Sequence, residues 1–222
     1  MLYWLERHIP KLVLAPSLIV SLIFVYGFIA WTAWVSLTKS KLMPRYEIVG
    51  LIQYDKLFLS PRWDTALENL FIFGGLFCFV SMILGLVLAI FLDQKIRTEG
   101  VLRTIYLYPM ALSLIVTGTA WRWILNPGHG VEATVRKWGF PEFTFDWLVN
   151  PNMAIYTVVI AAVWQASGFV MALFLAGLRS VEDEIIRAAH VDGIPLWRIY
   201  TSIIIPSMAP VFLSAFIVLA HL

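Results

Sequence analysis

The chain has 222 residues, 60% hydrophobic and only 14% charged, with mean hydropathy +0.82. A soluble domain carries about a quarter charged residues, so this composition points to a membrane protein. The formal net charge of +2 is too small to argue for nucleic acid, and the one cysteine, Cys78, excludes an intrachain disulfide and reads as a packing residue.

A bilayer core takes about 20 apolar residues as helix. Residues 12–37 carry no charge, follow Arg7 and Lys11, and form the first predicted span. The run is too long for a signal peptide and lacks a small-residue cleavage site, so it reads as retained. Pro16 falls in its first turns, where proline costs least. Residues 69–92 form a second uncharged run, in which Gly74, Gly75, Gly85 and Ala89 suggest close helix packing. The third is 105–125, with Pro109 near its start and Arg122 near its end, where a long side chain snorkels to the interface. The fourth is 153–178, and 207–222 begins a fifth that ends with the chain. Bilayer-spanning backbone must satisfy its own hydrogen bonds, which favours helices, and the weak alternation of a membrane barrel is absent. The expected fold class is therefore all-α, a polytopic helical bundle forming a single transmembrane domain over 12–222 after a terminus of residues 1–11.

The connectors are 38–68, 93–104, 126–152 and 179–206. Basic residues divide eight against seven between the two sides, so charge orients the chain only weakly, with its amino terminus inside. Residues 184–210 read EIIRAAHVDGIPLWRIYTSIIIPSMAP, a charged stretch between long apolar runs. Residues 181–191 have helix-forming composition with acids at the front, where the macrodipole favours them. Asp192-Gly193 ends that helix in a turn suited to a left-handed glycine. Pro195 suits the start of a second helix, with Leu196, Trp197, Ile199 and Tyr200 on its apolar side, and Pro206 marks entry to the last span. Small Ala188 and Ala189 would let another surface come close. An interfacial amphipathic loop fits the same residues. A DNA-type helix-turn-helix does not, because spans flank the segment and it has no basic recognition face.

The segment resembles the EAA loop of bacterial ABC importer permeases. Arg187-Ala188-Ala189, Asp192-Gly193-Ile194 and the run Ile203 to Pro206 correspond to the motif. The resemblance extends through GLIQY (50–54), NLF (69–71), GLVLA (85–89), RTIYLYP (103–109), WRWILNP (121–127), DWLVNP (146–151) and FLAGLRS (174–180), which are similar to landmarks of the carbohydrate permeases. That branch includes the maltose and glycerol-phosphate permeases, and the detail is closest to glucose/mannose types. Two residues depart from the pattern. Arg187 stands where the family has an acid, and Glu182 where it has a proline. Glu184, one turn before Arg187, could take over part of the missing acid's role. The family also has a sixth span that this sequence lacks.

The resemblance implies a type I importer permease that performs no covalent chemistry. ATP and Mg would bind a cytosolic ATPase dimer, and this chain would carry no cofactor. The implied docking residues are Glu184, Arg187, Ala188, Ala189, His190, Asp192, Gly193, Ile194, Pro195 and Leu196. It places the 179–206 loop and the amino terminus in the cytoplasm of a bacterial inner-membrane protein. Loops 38–68 and 126–152 would then meet an extracytoplasmic sugar-binding protein. A second homologous permease would complete the pathway through the bilayer.

For an uncharged sugar substrate, span four offers Trp164, Gln165, Ser167, Gly168 and Phe169, and span three offers Ser113, Thr117 and, more weakly, Thr119: aromatic faces stack on C–H surfaces, and amides and hydroxyls bond hydroxyls. The same small and polar residues also serve helix packing. The span interiors hold no Asp or Glu, and no His except His221 near the end, which argues against an intramembrane enzyme and gives no catalytic residue. An ion-coupled carrier or channel, the remaining alternative, usually carries mid-membrane ionisable groups. His190 has no second ligand at metal spacing.

Overall fold

The computed structural model describes residues 2–41, 43, 45–94 and 96–222, with side chains described from Lys11 onward except at Leu12 and Asp183. Lys95, counted above in the 93–104 connector, and the Arg7 side chain lie outside the described residues. The described chain is helical, with a single isolated bridge, Thr38 to Ile48, and no strand. It divides into two compact units, Met1–Ala66 and Leu67–Leu222, where the sequence reads as one domain.

In the first unit, α1 runs Leu2–Ser36 and its apolar stretch Val13–Ser36 is long enough to cross a bilayer. The helix starts well before the apolar run, so Pro16 lies inside it rather than in a first turn. Next to it, Ser17 Oγ donates to the Leu14 carbonyl at 2.9 Å. Trp31, Trp34 and Tyr46 cluster where α1 ends, with the Trp34 and Tyr46 rings stacked at 5.5 Å. The short α2, Ile52–Phe58, follows, tied back by Ser36 Oγ and Tyr54 Oη at 2.7 Å.

Helix α3 runs Pro61–Asp93, longer than the apolar run that announces it. The second unit is organised around α7, Ala154–Leu178, which is apolar on all sides as befits a helix enclosed by others. Val170, Met171 and Phe174 are wholly buried there. Gly85 and Ala89 of α3 are buried, and a Cβ at Gly85 would lie 2.6 Å from Val170 Cγ1, so α3 and α7 meet there. Gly74 and Gly75 do not share that role. Nothing lies within 4 Å of a Cβ at either position, and they line an open apolar groove with Leu70, Cys78 and Phe216.

The run 105–125, read from sequence as one span, is broken. Helix α4, Glu99–Leu107, passes into a 3-10 turn, Tyr108–Ala111, and then into α5, Leu114–Ile124, at 101°. Pro109 has no N–H to continue the ladder, Leu112 is extended, and Ser113 Oγ restarts a helix by accepting from Ile115 N at 3.3 Å. The last run bends too. Helix α9, Leu196–Ile199, a π turn, Tyr200–Ile204, and α10, Ile205–Ser207, meet α11, Ala209–His221, at 66° across Met208. Pro210 removes the amide that would carry the helix through this point. Among the described residues, three helices are long and apolar enough to cross a membrane, or up to five if each bent pair counts as one span.

Candidate functional site

Two regions of the second unit carry the residues singled out by sequence. The first is the segment after α7. Helix α8, Asp183–Val191, ends at Asp192, and Gly193 takes φ +70°. Gly193 N donates to the His190 carbonyl at 3.1 Å and Ile194 N to the Ala189 carbonyl at 3.0 Å. This paired closure satisfies the last carbonyls of α8 and requires a left-handed residue at the turn, which glycine adopts without a Cβ penalty. Pro195 stands one place before α9, as its cap residue.

The segment has an inner and an outer side. Ala189 is 5% exposed and belongs to the chain's own core, with Ile186 and Ile194 packed against that core. The expectation that Ala189 offers a partner a close approach is corrected accordingly: its small side chain lets α8 lie close to its own bundle. Ala188, His190, Asp192, Gly193, Pro195 and Leu196 are exposed. So are Val191 at 87% and Trp197 at 64%, which do not figure among the sequence candidates for docking. The signal for them was available, since they are large apolar residues in a charged connector that belongs to no apolar span. The Arg198 guanidinium sits 5.5 Å from the Trp197 ring centroid. Beside α8, Glu184 and Arg187 line one side of a polar recess of about 580 Å³, with Arg179, Ser180 and Glu182 around it.

The second region is the break between α4 and α5, which faces α7. Trp121 and Trp164 meet edge to face, 5.7 Å between centroids. Gln165 Nε2 donates to the Leu112 carbonyl at 3.1 Å. An interrupted helix leaves backbone acceptors without partners, and a side-chain amide from the neighbouring helix supplies one. Gly168 is buried, and a Cβ there would lie 1.8 Å from the Tyr106 carbonyl oxygen, so only glycine allows α7 to pass this close. Phe169 is half-buried against the core, and Ser167 Oγ turns back to the Trp164 carbonyl at 3.4 Å. Ser113 is spent on capping α5 and Thr119 on its own helix, while Thr117 Oγ1 is buried with no hydrogen-bond partner. The break thus gathers Trp121, Trp164, Gln165 and Gly168, while Phe169 packs toward the core.

At the far end of α7, the loop 126–152, which holds the short helix α6, Val131–Lys137, is pinned by a buried carboxylate. Glu132 pairs with Arg136 at 2.6 Å and accepts from Phe145 N at 3.1 Å, and Arg136 Nε donates to the Phe143 carbonyl at 2.8 Å. Trp138 and Phe140 stand exposed on this platform. Among the described residues, no group of three or more His, Cys, Asp or Glu is placed to hold a metal.

Residues 59–220 match the family described as binding-protein-dependent transport system inner membrane component. A probable ABC transporter permease protein of Pyrococcus horikoshii is 42% identical over 210 residues, covering 94% of this chain and 72% of that protein. A xylose/arabinose import permease of Haloferax volcanii is 36% identical over 200 residues, covering 89% of this chain and 62% of that protein. A trehalose/maltose transport permease of Thermococcus litoralis is 31% identical over 219 residues, covering 96% and 72%. The chain thus spans between 62% and 72% of the length of these three relatives. The fold matches that of a chain in the crystal structure of a bacterial ABC transporter that imports alginate, with TM-score 0.80 at 20% identity, covering 99% of this chain and 75% of that one. A second structure of a bacterial alginate ABC transporter, in complex with an alginate pentasaccharide-bound periplasmic protein, matches with TM-score 0.82 at 20% identity.

Proposed function

The chain belongs to the family of binding-protein-dependent transport system inner membrane components, and on that premise we propose that it is the permease subunit of an ATP-driven sugar importer. The observation that carries this reading is the segment from α8 to α9. It is a helix, a glycine-closed turn and a second helix, and it presents Val191, Leu196 and Trp197 outward at one end of the bundle. Exposed apolar residues next to charged ones suit a protein partner. The partner is a cytosolic ATPase dimer, which holds ATP and Mg. Glu184, Arg187, Ala188, His190, Val191, Asp192, Pro195, Leu196 and Trp197 form the contact, and Gly193 holds the turn. A second permease subunit completes the pathway, and the amino terminus is cytoplasmic.

Closure of the ATPase pair on ATP moves the docked segments, and the two permeases switch the open side of the pathway as packed bodies. The loop 126–152 at the opposite end, stiffened by Glu132, meets the extracytoplasmic binding protein. Sugar passes near the break, where Trp164 offers an aromatic face and Gln165 a carboxamide oxygen whose nitrogen is already engaged. The xylose/arabinose and trehalose/maltose transport relatives support a neutral sugar as cargo.

The test reconstitutes the full-length chain in proteoliposomes with its cognate ATPase, second permease and binding protein. ATPase rate is measured with and without sugar-loaded binding protein, beginning with glucose. Stimulation is expected. Stimulation by another sugar alone would keep the importer and replace glucose. Failure of any ATPase subunit to co-purify would overturn the reading in favour of an ion-coupled carrier.

A further inference from the structure

The two feet of the α8–α9 segment stand on one carboxylate. Arg179 directly follows α7, and Tyr200 directly follows α9. Arg179 Nε lies 3.8 Å from Asp93 Oδ1, and Tyr200 Oη donates to Asp93 Oδ2 at 3.0 Å. The arrangement is reinforced on both sides. Arg179 Nη2 pairs with Glu99 Oε1 at 2.8 Å and reaches the Leu92 carbonyl at 3.5 Å, while Gln94 Nε2 donates to Tyr200 Oη at 3.2 Å. Two parts of the chain that are distant in sequence therefore converge: the end of α3 with the start of α4, and the end of α7 with the first residue of the π turn.

Half-exposed ion pairs of this kind add little to stability. Their geometry is more informative than their energy. Asp93 has two oxygens and uses one for each foot, so both ends of the segment are fixed to the same point on α3. Glu99 opens α4, and α4 leads without interruption through the turn Tyr108–Ala111 to Leu112, whose carbonyl Gln165 holds. A π turn is uncommon, and one that starts at the residue making this contact fits a side chain held for function.

We propose that Asp93 is a positioning residue for coupling: by clasping Arg179 and Tyr200 it makes the α8–α9 segment move as one piece with the ends of α3 and α4. A push on α8 then reaches the α4–α5 break instead of being absorbed where the segment joins the bundle. This rests on the reading of α8–α9 as the ATPase-docking surface. Asp93 and Tyr200 lie at its feet and outside its outward face, so replacing them separates transmission from docking.

The experiment uses the complete reconstituted transporter and reads sugar moved per ATP hydrolysed, alongside the yield of assembled complex. Asp93→Asn keeps size and one acceptor but removes the charge that holds Arg179, and Tyr200→Phe removes only the hydroxyl. With assembly near wild type, transport per ATP should fall about fivefold in Asp93→Asn, the low end of coupling energies between sites. Asp93→Glu should restore part of it. Amide exchange over residues 196–204 should quicken in both variants. If uptake and ATPase fall together, in proportion to complex yield, with their ratio unchanged, Asp93 is only structural and the proposal is overturned. Should Asp93→Asn fail to assemble, Tyr200→Phe decides by the same ratio. A wild-type complex without stimulated ATPase overturns the functional reading and this proposal with it, whereas a stimulated wild type with unchanged variants overturns this proposal alone.

Discussion

Gly168→Ala is the sharpest perturbation of the fold. The added methyl carbon would sit 1.8 Å from the Tyr106 carbonyl oxygen and 2.6 Å from its carbon. Non-bonded heavy atoms settle at about 3.5 Å, so α7 and the end of α4 must part by about 1.7 Å. The obstacle is backbone on both sides, and no flexible side chain can swing away. Overpacking of this kind costs ~1–3 kcal/mol, and the upper end applies where nothing can yield. For a body of this size, about 3 kcal/mol corresponds to a fall of about 6–12 °C in Tm. The assay is thermal unfolding of the purified chain in detergent, with Gly74→Ala as the matched control. Gly74 lies in the same kind of apolar helix but has nothing within 4 Å of its Cβ position, so its substitution should be neutral or slightly stabilising through reduced backbone freedom. If the two variants melt within about 2 °C of each other, α7 does not cross Tyr106 as closely as described, and the structural account of Gly168 fails.

Gly193→Pro removes the amide that bonds the His190 carbonyl and imposes a negative φ where the turn needs +70°, so it should abolish stimulated ATPase while leaving membrane insertion intact. Normal uptake by this variant would count strongly against the docking role of the turn. Gln165→Leu strands the Leu112 carbonyl and should lower stability by about 1–3 kcal/mol, read as Tm; a KM for sugar uptake equal to wild type would remove Gln165 from the sugar path and leave it a structural residue. Glu132→Gln keeps the shape of the platform but loses its charge-assisted bonds, so the Phe145 amide should exchange about tenfold faster and binding-protein stimulation should drop. Unchanged exchange at Phe145 would show that the loop is held by other contacts.

The amino-acid sequence determined the elements whose physics is local. Uninterrupted apolar runs announce α1, α3 and α7 because a bilayer tolerates almost nothing else over that length. The α8 stop at Asp192-Gly193 is equally legible, since a left-handed closure asks for glycine whatever surrounds it. Gln165 and Gly168 stand out in span four, yet periodicity does not separate a sugar contact from a packing residue. Only the tertiary structure decided that the Gln165 amide holds a broken neighbour and that Gly168 admits a backbone carbonyl, because each depends on what α4 does opposite. The same holds for the glycines of α3. Four small residues look alike in sequence, but Gly85 meets α7 and Ala89 is buried, whereas Gly74 and Gly75 face an open groove. Ala189 reads as outward-facing until α8 is docked on its own bundle. The clasp at Asp93 is the clearest case. Its two partners, Arg179 and Tyr200, lie 86 and 107 positions away, and no spacing rule joins an aspartate at one helix end to an arginine and a tyrosine that far along the chain. Local sequence sets what each segment can be, and long-range packing sets which of its side chains meet.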